Sequence, residues 1–266
     1  MTRFRAPGTT ANLGPGFDVA GAALDLWNEL DLTEGDGADE SHLGVRAFSI
    51  YASPAGFAFK WTSRIPRERG LGSSAAIVAL GLVAGAWAAG VEPGVDELLE
   101  AGLALEGHAD NLAPALAGGV CLTWDAHVAR VADDLPALPI AVIPETQVST
   151  AESRRTLPDD VLRADAVFTV ARAALLGASI ASGDASLFAA SNDDRLHEPY
   201  RAATAPHLSE LRADLPDGAI GATLSGSGPT VIVWAERDIS DELRARYPQH
   251  EVMPLGVTPD GAALVV

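Results

Sequence analysis

Cysteine is almost absent: Cys121 stands alone among 266 residues. A single thiol cannot close an intrachain disulfide, and it excludes a multi-cysteine zinc site. Its residue type suits a small, buried apolar position. Lysine is equally scarce, with Lys60 the one example, and 18 basic residues face 36 acidic ones for a net charge of −18. That balance argues against nucleic acid or an anionic membrane as a partner, because both call for a basic surface. The opening residues MTRFRAPGTT hold no apolar stretch, so no secretory signal is read there. The standard P-loop is excluded, since it needs Gly-Lys-Ser/Thr and Lys60 is followed by Trp61. The HExxH metalloprotease motif and the GxSxG elbow are also missing. Together these absences favour a soluble, cytoplasmic protein.

What is present is enough for a proper core. Apolar residues make up 48% and charged residues 20%, which suits one large domain or two small ones in contact. Residues 70–91 carry no charge. That run is long enough to test as a membrane span, but it is rich in Ala and Gly and opens on a Gly/Ser turn, so it reads as a buried helix. The coarse pattern mixes short strands with helices. A short strand at 4–6 precedes a turn-rich stretch at 7–16, a strand-like segment runs over 19–32, and an acidic loop covers 33–40. Another strand spans 57–65, helices 74–89 and 95–105, and strands 118–124 and 138–143. Beyond 144 the periodicity gives helices at 159–182, 184–192 and 203–215, then strands at 219–224, 230–235, 251–255 and 262–266. The fold class is α+β, with a boundary near 144–150 that divides the chain into 1–146 and 147–266.

Three Gly/Pro/Ser clusters punctuate this pattern: PGTTANLGPGFD at 7–18, PRERGLGSSAA at 66–76, and LSGSGPT at 224–230. In the middle one, Gly70 and Gly72 allow a close backbone approach, and Ser73 and Ser74 stand at a helix start. A helix N-terminus offers unpaired N–H groups and about +0.5 of a charge, which makes it a seat for anions. The same residue types also serve as plain turns and caps. If the three clusters converge, they form a pocket rich in backbone donors. The third glycine of a dinucleotide fingerprint is missing from GLGSSA.

In order and spacing, these clusters resemble the three motifs of the GHMP kinase superfamily, and PxxxGLGSSAA is similar to its ATP-phosphate loop. EGHADNLAPALAGG at 106–119, VSTAESRRTLP at 148–158 and LHEPYR at 196–201 resemble the homoserine kinase family within it. The resemblance spans nearly the whole chain. It implies a two-domain fold with a ribosomal S5 domain 2-like N-terminal half for ATP and a ferredoxin-like C-terminal half. It further implies transfer of phosphate from ATP, with Mg²⁺, to the side-chain hydroxyl of L-homoserine in threonine biosynthesis, and a homodimer.

Carried over residue by residue, the ATP loop is Pro66, Arg67, Glu68, Arg69, Gly70, Leu71, Gly72, Ser73, Ser74, Ala75 and Ala76. Ser73 and Glu106 match the oxygen ligands of the metal, a hard-cation pairing. Arg154 and Arg201 match the carboxylate-binding arginines, whose planar forks grip carboxylates in pairs of hydrogen bonds. Asn12, Asp18, His108, Asn111, Thr150 and Gly226 match further substrate contacts, Asp18 as counter-charge for the ammonium. Taken alone, Asp18 and Thr150 also suit caps, Arg201 a surface charge and Glu106 a solvated helix residue. Asn111, with Ser73 and Glu106, falls in the catalytic set. It occupies the place where other members of the superfamily carry an aspartate base, and a carboxamide cannot accept a proton at neutral pH. The resemblance therefore implies transfer without a dedicated base, which a loose phosphoryl transition state tolerates.

The chain departs from the pattern in the short region 31–60, where Ser41-His42-Leu43 replaces the usual asparagine before an apolar pair. His42 there suits either a hydrogen bond to the nucleotide or a surface loop. His127, His207 and His250 lie outside every motif and read as structural or exposed. The readings left open beside the main one are a kinase for another small alcohol, mevalonate-type or sugar, and a catalytically silent binding protein.

Overall fold

The structure is a computed structural model that describes residues 1–265. From the N-terminus, β1 (Thr2–Ala11) and β2 (Ala20–Glu34) run antiparallel along their whole length. The expected turn at 7–16 begins only after Ala11. Pro7-Gly8 marks a β-bulge in this pair, and Gly8 lets the strand approach the carbonyls of Leu26 and Leu71. Next come α1 (Leu43–Phe48), β3 (Phe57–Thr62), α2 (Ser73–Ala89), α3 (Val95–Glu106) and α4 (Ala109–Ala117). β4 (Val120–Trp124) and β5 (His127–Ala132) follow, and β6 (Leu138–Ile143) opens a second sheet. α5 (Thr150–Arg155), α6 (Arg163–Ser182), α7 (Ala185–Ser191), α8 (Glu198–Arg201), a 3₁₀ turn (Ala202–Thr204) and α9 (Pro206–Ala213) lead to β7 (Ala219–Leu224) and β8 (Val231–Ala235). The chain then forms α10 (Ser240–Arg246), β9 (Glu251–Pro254) and a short β10 (Ala263–Leu264). Of the strand expected at 262–266, Val266 lies outside the described residues.

The first sheet has the order β10-β1-β2-β4-β5, with β3 paired to the outer half of β2. The second has the order β7-β8-β6-β9, all antiparallel. Counted along the chain, its strands and intervening helices follow a βαββαβ course, the ferredoxin-like arrangement. β6 belongs to this second sheet and β10 returns to the first. The chain therefore crosses from the first sheet to the second before Leu138, and its end folds back. The two layers share one continuous core, in which Trp234 and Ile232 of β8 pack with Phe188, Leu176 and the α2 residues.

The charge-free run 70–91 is a buried helix, as its composition demands. α2 hides side chains on every face, including Ile77, Leu80 and Leu82. Gly81 and Gly85 are the points of closest approach to α1. A Cβ on Gly81 would lie 2.2 Å from the Gly44 carbonyl oxygen, and one on Gly85 would lie 2.4 Å from that of Phe48. α6 is the one helix among the described residues long and apolar enough to cross a membrane by length and composition, and 22% of that stretch is buried. It begins at Arg163 rather than 159, after Pro158 and two aspartates.

The short elements α1, α4, α5, α8, α10 and β5 were not legible as periodic segments, being four to nine residues long. α4 also contains Pro114, which lacks the N–H for the Asp110 carbonyl. The β2 backbone passes close to that carbonyl at Gly21, where a Cβ would sit 2.0 Å from the Asp110 oxygen.

Candidate functional site

The three Gly/Pro/Ser clusters do converge. The Thr9 N–H donates to the Leu71 carbonyl at 3.1 Å, joining β1 to the 66–72 loop. The Gly226 N–H donates to Ala11 O at 3.1 Å, and the Thr230 N–H donates to Arg69 O at 3.2 Å. Ser225 Oγ, in the β7–β8 loop, lies 2.7 Å from Gly70 O and 3.0 Å from Thr10 Oγ1. Around this junction lies a cavity of about 250 Å³.

The 66–72 loop is shaped by backbone conformation. Glu68, Gly70 and Gly72 all have positive φ, at 55°, 78° and 66°. At the glycines no other residue fits: a Cβ on Gly70 would meet Ser225 O at 2.1 Å, and one on Gly72 would meet Thr9 Oγ1 at 1.8 Å. Gly72 then opens α2 with no side chain capping the first turn and no acidic residue within it. The orphan N–H groups of a 17-residue helix therefore face the cavity and form an anion seat. Pro66, Glu68, Gly70, Leu71, Gly72, Ser73 and Ser74 line it. The rest of the expected loop does not: Ala75 and Ala76 are buried in the core, Arg67 is exposed, and Arg69 Nη1 donates to the Pro144 carbonyl.

Glu106, expected with Ser73 to hold the metal, has a serine partner in the structure. Ser74 Oγ, not that of Ser73, donates to Glu106 Oε2, at 2.6 Å. Successive helical residues point about 100° apart, so only one of two adjacent serines can face α3. Burial, reinforced by the Asp110 charge and opposed by the Ser74 hydrogen bond, pushes the Glu106 carboxyl up to about 7. A solvated helix residue would not behave so. Among the described residues there is no group of three or more His, Cys, Asp or Glu able to hold a metal. Mg²⁺ needs no such cage, since it is usually held by one or two carboxylates together with substrate phosphates. A hydroxyl and a carboxylate beside an anion seat fit it.

The other end of the cavity is cationic. Arg201, at the end of α8, is 2% exposed, so it is no surface charge. Its Nη1 donates to Gly226 O at 3.2 Å. Arg154, in the last turn of α5, reaches across to Asp18 with Nη2–Oδ1 at 2.5 Å. The two guanidinium carbons lie 5.9 Å (Arg154) and 5.5 Å (Arg201) from the centre of the Phe17 ring. Nε of both arginines is buried without a partner. Two like charges over one ring, with orphan donors, call for an anion between them.

Of the remaining expected residues, Asn12 is buried and bridges Gly226 O (2.9 Å) and the Asp18 N–H (3.0 Å), holding Asp18 at φ 57°. Thr150 is not a cap, because Ser149 caps α5; Thr150 lines the cavity instead. His108 lines it too, and burial, helped by Arg154, pushes its imidazole below the usual range and keeps it neutral. Asn111 Oδ1 accepts from Thr9 Oγ1 at 2.8 Å, so its amide N–H₂ is turned towards Asp110 at 3.4 Å and the cavity. Burial and then the Asp18 charge push the 3% exposed Asp110 carboxyl up to about 6. His42 is neither exposed nor in this cavity: its Nδ1 accepts from the Gly44 N–H at 3.2 Å to cap α1, and its ring stacks on Trp61.

Sequence reasoning missed Ser74 as the Glu106 partner, Thr9 as the support of Asn111, and Ser153. Ser153 Oγ donates to Ser227 O at 3.0 Å, and the Val148 N–H donates to Glu68 O at 3.0 Å, so α5 is moored to two of the glycine loops. No motif flags such a tie, because it is made to backbone.

Comparison with known proteins agrees with this geometry. The family model described as GHMP kinases N terminal domain matches residues 40–119, and GHMP kinases C terminal matches 173–251. The chain is 36% identical to a homoserine kinase of Microchaete diplosiphon, over 97% of this chain and 92% of that one. It is 35% identical to a homoserine kinase of Desulfitobacterium hafniense over the full length of both. The crystal structure of a homoserine kinase from Cytophaga hutchinsonii superposes with a TM-score of 0.87 at 26% identity, covering 99% of this chain and 97% of that one.

Proposed function

Because this chain belongs to the homoserine kinase family of GHMP kinases, we propose that it transfers the γ-phosphoryl group of ATP to the side-chain hydroxyl of L-homoserine, giving O-phospho-L-homoserine. One observation carries the choice of acceptor: Arg154 and Arg201 converge over Phe17 beside Asp18, within the same cavity as the uncapped start of α2. An amino acid presents one carboxylate and one ammonium a few ångströms apart. Entering there, it replaces the internal Arg154–Asp18 ion pair with two external ones, carboxylate on the arginines and ammonium on Asp18. A neutral sugar or a mevalonate-type alcohol offers no cation for Asp18.

The phosphates lie on the orphan N–H groups of α2, cradled by the glycines that keep Cβ atoms out of the loop. Ser74 and Glu106 are the residues that would hold Mg²⁺. When bound, the ion neutralises charge on the transferring phosphate. Asn111 presents its amide at the reacting end and orients the acceptor hydroxyl. It accepts no proton, so the hydroxyl proton leaves late, to the transferred phosphate itself, as a loose transition state permits. Transfer is then a matter of positioning and electrostatics rather than of a protein base. The reading includes a place in the cytoplasm, a homodimer, and no nucleic-acid or membrane partner.

The test is ADP release with ATP and Mg²⁺ in the presence of homoserine, mevalonate, galactose or buffer alone. Turnover specific to homoserine is expected. Turnover with mevalonate or galactose in its place overturns the acceptor, and ATP binding without turnover overturns the kinase.

A further inference from the structure

The segment that delivers Arg201 to the cavity carries a second buried group, His197, at the start of α8. Its side chain is fully buried, so every polar atom of the ring must be matched from within the protein. Both are. Nε2 lies 2.8 Å from the Gly14 carbonyl oxygen, and Nδ1 lies 3.1 Å from Arg201 Nη1. A carbonyl oxygen can only accept, and a guanidinium N–H can only donate. One arrangement of protons satisfies both: a neutral imidazole with its proton on Nε2 and a bare Nδ1 that accepts from Arg201. Burial favours the same neutral form by holding the imidazole below its ordinary pKa.

The ring is also fixed in its plane. It stacks on Phe17 with centroids 5.0 Å apart and planes 17° from parallel. Phe17 is the ring over which both acceptor arginines sit. The backbone beneath is held by Asp194, whose carboxylate accepts the N–H groups of Leu196 (3.0 Å), His197 (2.7 Å) and Glu198 (3.0 Å). Asp194 Oδ2 stands 3.6 Å from Nε2, too far to compete with the Gly14 carbonyl for its proton.

We propose that His197 is a positioning residue for the acceptor. Through Nδ1 it sets the Arg201 fork at the carboxylate end. Through Nε2 and its stacked face it sets the 14–18 turn, which carries Phe17 and Asp18 to the ammonium end. One ring thus fixes the spacing between the two charges that measure an amino acid. The proposal rests on the reading of Arg201 and Asp18 as acceptor ligands. It adds that a residue touching no substrate determines how tightly homoserine is held.

Two substitutions separate the bonds. In His197→Asn the carboxamide oxygen takes the place of Nδ1 and can still accept from Arg201. In His197→Gln the amide N–H₂ takes the place of Nε2 and can still donate to Gly14, but Arg201 loses its acceptor. His197→Phe keeps the stack and loses both. The expected result is a homoserine KM raised about tenfold or more in His197→Gln and His197→Phe, about the cost of one lost charge-assisted bond. In His197→Asn at least part of that loss is restored, and the KM for ATP stays within about twofold in all three. Nitrogen-15 spectra of the imidazoles supply a readout independent of turnover: the His197 signals of the wild-type protein should show a protonated Nε2 and a bare Nδ1 at pH 7. An unchanged homoserine KM in His197→Gln, a parallel loss for ATP and homoserine, or a proton on Nδ1 overturns the proposal. If His197→Phe does not fold, the Asn/Gln pair and the wild-type spectrum decide. If the wild-type protein does not turn over homoserine, the acceptor reading fails separately, while the spectrum still tests the tautomer.

Discussion

At the scale of single residues, chemistry in this cavity turns on which of two neighbours points inward. Ser73 and Ser74 both line the cavity, but only Ser74 meets Glu106. Ser74→Ala should therefore lower kcat by about 10²-fold and raise the Mg²⁺ concentration needed for half-maximal rate, whereas Ser73→Ala should cost less than about tenfold. A Mg²⁺ titration of both variants checks this, and equal losses would contradict it. The sequence could not separate the two serines: the motif places both at a helix start, and the rotation that chooses between them depends on where α3 packs. Asn111 and Asp110 pose the same question with the opposite history, since the asparagine was legible from its motif. Asn111→Ala should lose about 10²-fold or more in kcat, because it removes the amide held by Thr9 at the reacting end. Asp110→Asn should change the melting temperature and leave kcat within about fivefold. A larger kcat loss in Asp110→Asn at unchanged stability would make Asp110 the catalytic carboxylate instead.

At the scale of elements, the site depends on α2 being held at its far end as well as at its mouth. Its charge-free composition made it legible as a buried helix. The closeness of α1 was not legible, because α1 has six residues and no periodicity to speak of. Gly81 and Gly85 are the structural reason the two can touch, and Gly44 of α1 in turn sits under the Trp61 ring, which a Cβ would meet at 2.3 Å. Gly81→Ala should push α1 away and cost about 1–3 kcal/mol by overpacking, despite the higher helix propensity of alanine. Calorimetry should record a lower Tm, while the KM for ATP at the opposite end of α2 stays near that of the wild type. A raised Tm would mean that α1 yields without strain. The loops followed the same logic: the glycine clusters announced where backbone must come close, but the moorings of α5 through Val148 and Ser153 are made to carbonyl oxygens, and no residue type encodes those.

At the scale of the whole molecule, two sheets share one core and the chain end returns to the first, so the halves read in the sequence are not independent beads. The crossover between the sheets was not legible because β6 is an ordinary apolar strand whose partners, β8 and β9, lie about 90 and 110 residues downstream. Stability at this scale should respond to acid through the second layer. His207 is buried beside His250, and burial, then the His250 charge, hold its imidazole down to about 4 against an ordinary 6.5, with the Val142 backbone opposing. The unfolded chain thus takes up this proton first, so the contribution present above pH 6.5 is lost as pH falls towards 4. Glu106 and Asp110, with raised values, act in the opposite direction, so the difference between two proteins isolates the effect. From pH 7 to pH 5 the wild type should lose Tm relative to His207→Phe; parallel melting shifts would assign the acid response elsewhere. The central claim joins all three scales, and the identity of the product tests it most directly. Phosphorus-31 NMR and mass spectrometry of the protein incubated with ATP, Mg²⁺ and L-homoserine should show one new phosphomonoester on the side-chain oxygen, with ADP in equal amount. An acyl phosphate on the carboxylate, or ADP and free phosphate with homoserine unchanged, would contradict it.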